Sequence, residues 1–321
     1  MKTTVLITGG AGFIGSHLCD YFISHGCRVI CVDNLMTAPK RNIQHLLSTE
    51  DFQFVQQDIS TPLEISEKLD FVLHFASPAS PTIMQNNPVE TAKVASMGTL
   101  HALELAKTNE ARFILASSDA VYGNSLVHPQ IESYFGNVNP TGLRSSYDEG
   151  KRFAEALTMA YHRQCGVNTS IIRIFHSYGE RMCNDGRLIA ALLARALADK
   201  PIEIWGDGSQ SRSFCYISDL IDGIVRICDA AFYDPINLGN PEEITILDLA
   251  RLIIRLTGSA SSIEMRDALP EDRKSRMPDI RLAQKVIGWQ PVVNLEAGLK
   301  KTIDFAGNLA HQQTLGGNNS E

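Results

Sequence analysis

Tyr147 and Lys151 stand four residues apart, a spacing that puts both on one face of a helix. An ammonium beside a phenol stabilises the phenolate and lowers its pKa, so Tyr147 can serve as a base near neutral pH. Ser118 closes the apolar run 112–117, and its hydroxyl is positioned to hydrogen-bond the hydroxyl that Tyr147 deprotonates. A Tyr-x-x-x-Lys match alone arises often by chance on surface helices. Its weight here comes from a second cluster near the start of the chain.

That cluster is Gly9-Gly10-Ala11-Gly12-Phe13-Ile14-Gly15. Gly9 permits a tight turn, Gly12 lets a pyrophosphate approach the backbone at a helix N-terminus, and Gly15 lets helix and strand pack closely. A strand-like run precedes the loop, a helix-like run follows it, and Asp33 ends the next strand-like run. Together they predict a dinucleotide site. Asp33 is expected on the adenosine ribose hydroxyls, where it would repel a 2′-phosphate. No arginine follows at once, so NAD is favoured over NADP. Asp58, after a third strand, is within reach of the adenine amino group or is an ordinary loop carboxylate.

These residues need a frame that brings strand ends and helix starts to one edge. Residues 3–8, 28–33, 52–56, 71–76, 112–117 and 170–175 read as strands. Residues 13–25, 89–107 and 146–164 read as helices between them. That alternation predicts an α/β fold, a Rossmann-type doubly wound parallel sheet with helices on both faces. After Phe175 the rhythm loosens into Gly- and Pro-containing loops, and a smaller C-terminal substrate-binding lobe is expected over the carboxyl ends of the strands. The expected division is residues 1–175 with 215–240 for the NAD-binding unit, 176–214 and 241–310 for the lobe, and a disordered polar tail over 311–321.

Composition narrows the class. The chain has 321 residues, 44% hydrophobic and 20% charged, with a net charge of −7, values that suit a globular protein with a sizeable core. The acidic balance argues against nucleic acid or an anionic membrane as the main partner. No apolar run approaches the ~18 residues of a membrane span, and the first strand meets glycines too soon to be a secretory h-region. Seven cysteines without CxxC or Cys/His ligand spacing predict reduced thiols, a cytoplasmic setting and no metal site.

With these motifs in hand, the chain resembles the extended short-chain dehydrogenase/reductases that act on nucleotide sugars. More narrowly it is similar to the UDP-glucuronate decarboxylase branch. The likeness runs to about residue 305. It includes His74-Phe75-Ala76-Ser77-Pro78-Ala79-Ser80-Pro81, Tyr147-Asp148-Glu149-Gly150-Lys151-Arg152, Asn184-Asp185-Gly186-Arg187, the stretch from Gly206 to Phe214, Asn237-Leu238-Gly239-Asn240, and Arg276-Met277-Pro278-Asp279-Ile280.

The resemblance implies a cycle in which Tyr147 takes the proton from the sugar carbon-4 hydroxyl while NAD takes the hydride. The 4-keto acid then loses carbon dioxide, and return of the hydride gives the pentose. Lys151 would hold the nicotinamide ribose. Gly9, Gly12, Phe13, Ile14, Gly15, Asp33, Asn34, Asp58, Ile59 and Ala76 are the further expected cofactor contacts. His176, Arg187, Trp205, Gln210, Arg212 and Arg276 are the expected UDP-sugar contacts, with Arg276 near the sugar carboxylate. A homodimer is expected by analogy.

Three positions depart from the family pattern. Ala120 stands where the family carries Glu, His176 where it carries Asn, and Ala95 where Asn is usual. Asp119, beside Ala120, is the acidic candidate left among the catalytic residues. Oxidation at carbon 4 is therefore expected intact, followed either by slow release of carbon dioxide or by 4-epimerisation with the carboxylate retained. A protein that binds NAD without turnover would not need Ser118, Tyr147 and Lys151 together.

Overall fold

Every position of β1 (Thr4–Thr8) is buried, which requires cover on both faces of its sheet. The computed structural model, which describes residues 2–268 and 275–316, supplies that cover. β1 pairs in parallel with β2 (Arg28–Asp33), which carries β3 (Phe52–Gln56) at the edge. On its other side β1 pairs with β4 (Phe71–His74), followed by β5 (Arg112–Ser118), β6 (Thr169–Ile174) and the strand Pro235–Leu238. The sheet has seven strands, all parallel, in the order 3-2-1-4-5-6 with Pro235–Leu238 beyond β6. The order switches between β1 and β4, and such a switch opens a crevice at the carboxyl ends of the strands. This is the doubly wound sheet that the alternation predicts.

Two cores form on its two faces. Val5 and Ile7 belong to one, with Leu18 and Phe22 of α1 (Phe13–Ser24). Leu6 belongs to the other, with Leu103 and Ala154 from the helices Thr99–Asn109 and Ser145–Cys165. The alternation follows from the two-residue period of a strand. Truncating Leu6, which is wholly buried, should cost about 3 kcal/mol.

The helix expected over 89–107 is wound in three pieces: α-helical Pro88–Lys93, a π-turn Val94–Gly98 and α-helical Thr99–Asn109. The run presses directly on the helix Ser145–Cys165, since a Cβ on Gly150 would lie 2.8 Å from the Ala95 Cβ. In the lobe, Ser211–Ser213 pairs antiparallel with Glu243–Thr245 and parallel with Ser275–Arg276. That register sets Arg212 beside Arg276. The last helix, Leu295–Gly316, continues through His311, where polarity alone suggests a disordered tail; its Ala, Gln and Leu residues favour helix. Residues 317–321 lie outside the described residues.

Candidate active site

A cleft of about 790 Å³ runs along the carboxyl ends of the strands. At one end the loop after β1 meets the loop after β4. A Cβ on Gly9 would lie 2.7 Å from the Ala76 Cα, and one on Gly15 2.1 Å from the Gly9 carbonyl oxygen. Neither glycine tolerates a side chain. α1 begins just after Gly12, with no side-chain cap and no acidic residue in its first turn, so its orphan N–H groups suit a pyrophosphate. The cradle therefore fits a dinucleotide.

Gly9, Gly12, Phe13, Ile14, Gly15, Asp33, Asn34, Asp58, Ile59 and Ala76 all line the cleft. Asp33 Oδ2 accepts from the Ala11 N–H at 3.0 Å and Oδ1 from the Leu35 N–H at 2.8 Å. Burial pushes its carboxyl up, opposed by backbone N–H groups of Leu35, Ala11 and Gly12. Asp33 thus shapes the glycine loop from within the cleft lining. Asp58 accepts from Asn34 Nδ2 at 3.0 Å and from the Ser60 N–H at 2.8 Å. Burial raises its carboxyl, but Ser60, Asn34 and Lys93 outweigh that and leave it below the usual range.

Ser118, Tyr147 and Lys151 come together in the lining of the cleft. Ser118 ends β5, while Tyr147 and Lys151 lie in the first turns of the helix Ser145–Cys165. Lys151 Nζ donates to the Ala116 carbonyl at 2.8 Å and stands 5.7 Å from the Tyr147 ring centre. The expected fall in the phenol pKa is not what this environment gives. Burial pushes Tyr147 up to about 12, with a hydrogen bond to Ser118 opposing. Lys151 is itself brought down to about 8 by burial, against the pull of Glu155. Desolvation of both groups outweighs their neighbours, an effect that residue spacing does not carry.

Asp119 faces the same space. It accepts from Ser118 Oγ at 3.0 Å through Oδ1 and from Arg276 Nη1 at 2.7 Å through Oδ2. Burial raises its carboxyl, yet Arg276, His176, Ser118 and Arg144 together hold it below the usual range. Ala120 is not in the lining; it packs in a small cluster with Met84 and Tyr147. Burial takes His176 down to about 3, so the ring is neutral at pH 7, and its Nδ1 is buried without a hydrogen-bond partner. A neutral imidazole can donate or accept one hydrogen bond as an amide does.

Arg187, Trp205 and Arg212 also line the cleft. Gln210 does not: its side-chain amide donates to the Trp205 carbonyl at 2.8 Å, which turns it into the loop. One residue that motif reasoning passes over belongs here, paired with Asp148 of the Tyr147–Arg152 motif. Arg144 lines the cleft, and its Nη2 stands 3.6 Å from Asp148 Oδ1. Burial pushes the Asp148 carboxyl up to about 6, with Arg144 and Arg276 opposing. Their four-residue spacing was the available signal.

A doubly wound parallel sheet, a glycine cradle at its switch point and a Ser–Tyr–Lys cluster one strand away define a nicotinamide-dependent enzyme of the dehydrogenase type. The chain belongs to the NAD dependent epimerase/dehydratase family, which residues 5–239 match, and NAD is its cofactor. It is 47% identical over 313 residues to UDP-glucuronic acid decarboxylase 1 of Danio rerio, covering 97% of this chain and 74% of that one. It is 45% identical over 314 residues to UDP-glucuronic acid decarboxylase 2 of Arabidopsis thaliana, covering 97% and 70%. Among solved structures, the UDP-glucuronic acid 4-epimerase of Bacillus cereus, in complex with UDP-glucuronic acid and NAD, is similar with a TM-score of 0.86 and 29% identity. The match covers 96% of this chain and all of that one (100%). Among the described residues, no helix is long and apolar enough to cross a membrane.

Proposed function

We propose that this chain decarboxylates UDP-glucuronate to UDP-xylose through transient oxidation at sugar carbon 4. What supports the reading is the 47% and 45% identity, over 97% of this chain, to UDP-glucuronic acid decarboxylases of animal and plant origin, joined to a cleft lined by Ser118, Tyr147 and Arg276 in which Asp119 is hydrogen-bonded to both Ser118 and Arg276.

Tyr147 takes the proton of the carbon-4 hydroxyl, and Ser118 orients that hydroxyl. Bound NAD supplies the hydride acceptor for carbon 4 and a positive charge that joins Lys151 in favouring the phenolate. The resulting 4-keto sugar is a β-keto acid. Its C5–C6 bond breaks, the electron pair passes into a C4–C5 enolate, carbon dioxide leaves, and carbon 5 takes a proton from solvent. Tyr147 then returns its proton to the carbon-4 oxygen as the hydride comes back. Arg276 holds the carboxylate, Arg187 and Arg212 hold the diphosphate, where guanidinium forks suit phosphate oxygens, and neutral His176 holds a sugar or phosphate oxygen. The segments 176–214 and 241–310 act as the nucleotide-sugar lobe, with Trp205 at its edge.

Labelled carbon dioxide released from UDP-glucuronate, with the product identified by NMR, tests the assignment. Tyr147→Phe should abolish release and leave NAD affinity nearly unchanged. Ala120, which puts a methyl where the family carries a carboxylate, favours one other reading, UDP-glucuronate 4-epimerase. A 4-epimer with no carbon dioxide would assign the chain to it.

The chain acts as a homodimer in a reducing, cytoplasmic setting. Val89, Met97 and Leu100 on the run 88–109 and Phe153 on the neighbouring helix leave an exposed apolar face, which a second copy would bury. All seven cysteines are free thiols. Light scattering at micromolar concentration giving the monomer mass would overturn the dimer.

A further inference from the structure

One small carboxylate bridges the catalytic hydroxyl and the guanidinium across the cleft: Asp119 accepts from Ser118 Oγ at 3.0 Å and from Arg276 Nη1 at 2.7 Å. In a glucuronosyl ring the carbon-6 carboxylate hangs from carbon 5, the immediate neighbour of the carbon that Ser118 and Tyr147 address. A sugar placed for oxidation at carbon 4 therefore sends its carboxylate towards the span that Asp119 fills. Four other cations of the cleft are held by partners other than Asp119. Arg187 stands 3.0 Å from Asp185, Arg195 2.9 Å from Glu203 and Arg144 3.6 Å from Asp148, while Lys151 donates to Ala116.

We propose that Asp119 is a specificity-determining residue that holds Arg276 in place of the substrate carboxylate, releases it when a carboxylated sugar enters, and reclaims it once carbon dioxide has left. The inference rests on the decarboxylase reading above. Two carboxylates sharing one guanidinium in a buried site leave one of them short of countercharge, and an unpaired buried charge is costly. An uncharged sugar leaves the Asp119–Arg276 pair intact. With UDP-glucuronate the crowding is present in the ground state. It is relieved as the C5–C6 electron pair moves into the ring and neutral carbon dioxide departs. Asp119 exchanges no bond and no proton; it raises the substrate complex relative to the transition state and product.

Calorimetric titration of the NAD-loaded Tyr147→Phe protein, with and without Asp119→Asn, using UDP-glucuronate and UDP-xylose, tests this without turnover, and kcat and KM are read with Tyr147 in place. Asparagine keeps the shape and removes the charge. For UDP-glucuronate the Kd should fall about tenfold, while for UDP-xylose it should stay within about twofold. kcat and KM should fall together, the pattern of relieved ground-state strain. In an Arg276→Ala background the gain for UDP-glucuronate should vanish. Equal shifts for the two ligands, or a kcat that rises as Kd falls, would overturn the proposal. Asp119→Ser provides the same comparison if the asparagine variant does not fold. A native protein that binds UDP-glucuronate but releases no carbon dioxide overturns the decarboxylase reading instead, and the selectivity of Asp119→Asn remains measurable.

Discussion

Glu155 and Arg173 meet as a two-pronged fork beneath the helix that carries Lys151, with Nη2–Oε2 at 2.8 Å and Nε–Oε1 at 2.9 Å. Ser117 Oγ donates to the same Glu155 Oε1 at 2.5 Å, and Arg173 Nη1 donates to the Tyr122 hydroxyl at 3.0 Å. Tyr122 donates to Asn237 Oδ1 at 2.7 Å, and the Asn237 amide donates to the Gln130 carbonyl. Gln130 Oε1 accepts from the Met277 N–H at 2.8 Å, next to Arg276. A buried chain of polar contacts thus ties the footing of Lys151 to the strand that presents Arg276.

Glu155→Gln removes the charge that pulls the Lys151 pKa up against burial. The ammonium then loses its proton at a lower pH, and the phenolate loses its countercharge. The alkaline limb of the kcat/KM profile should move to lower pH, with the acid limb less affected. Leaving Arg173 without its partner should also cost about 3 kcal/mol in urea denaturation.

Asp148 makes stability depend on pH. Its carboxyl is pushed up to about 6 in the fold, above the ordinary Asp value of about 3.9. Between those values the folded state binds more protons than the unfolded chain, so stability contributed at this site falls as pH rises and is lowest above 6. Asp148→Asn should remove that fall. Relative to the native protein, the variant should gain roughly 3 kcal/mol between pH 3.5 and pH 7, read from paired denaturant titrations.

Asp33 should set cofactor choice. NAD should bind at least about tenfold more tightly than NADP, and Asp33→Ala should narrow the gap chiefly by weakening NAD. Because the carboxylate also holds the Ala11 and Leu35 N–H groups, the variant should lose NAD affinity beyond the ribose contact alone. Equal native affinities in calorimetry would remove Asp33 from the ribose.

Ala120→Glu installs the carboxylate that the resemblance to the decarboxylase branch implies, but it meets Met84 and Tyr147 in their shared cluster. Overpacking and a buried carboxylate should together destabilise the protein by about 3 kcal/mol. Carbon dioxide release should not accelerate in that single variant. Met84→Ala in the same chain should recover stability by opening the volume, and a faster release there would show that the carboxylate has regained the sugar. The test is thermal denaturation beside the labelled release assay.

The glycine loop, Asp33, Ser118, Tyr147 and Lys151 were legible in the sequence because each depends on a local constraint: a turn, a strand end or one helical turn. The strand alternation was legible for the same reason. The Arg212–Arg276 register was not, since it is made by pairing strands far apart in the chain. Nor was the crowding of Ala120 by Met84, or the turn of Gln210 back onto Trp205. The direction of the Tyr147 shift escaped because the spacing of Lys151 shows a nearby charge, whereas the dominant cause is lost water. Tertiary burial, rather than motif chemistry, separates the two groups.

The π-turn Val94–Gly98 lets one helical run keep two angular phases. An α-helix advances about 100° per residue, so deleting one residue from the turn would swing Pro88–Lys93 by that angle against Thr99–Asn109. Ala95 could not then stay against Gly150 while Val89, Met97 and Leu100 all kept facing outward. The wider turn works as a phase corrector. It allows the surface that faces the catalytic helix and the surface that faces away to be set independently on a single stretch of chain.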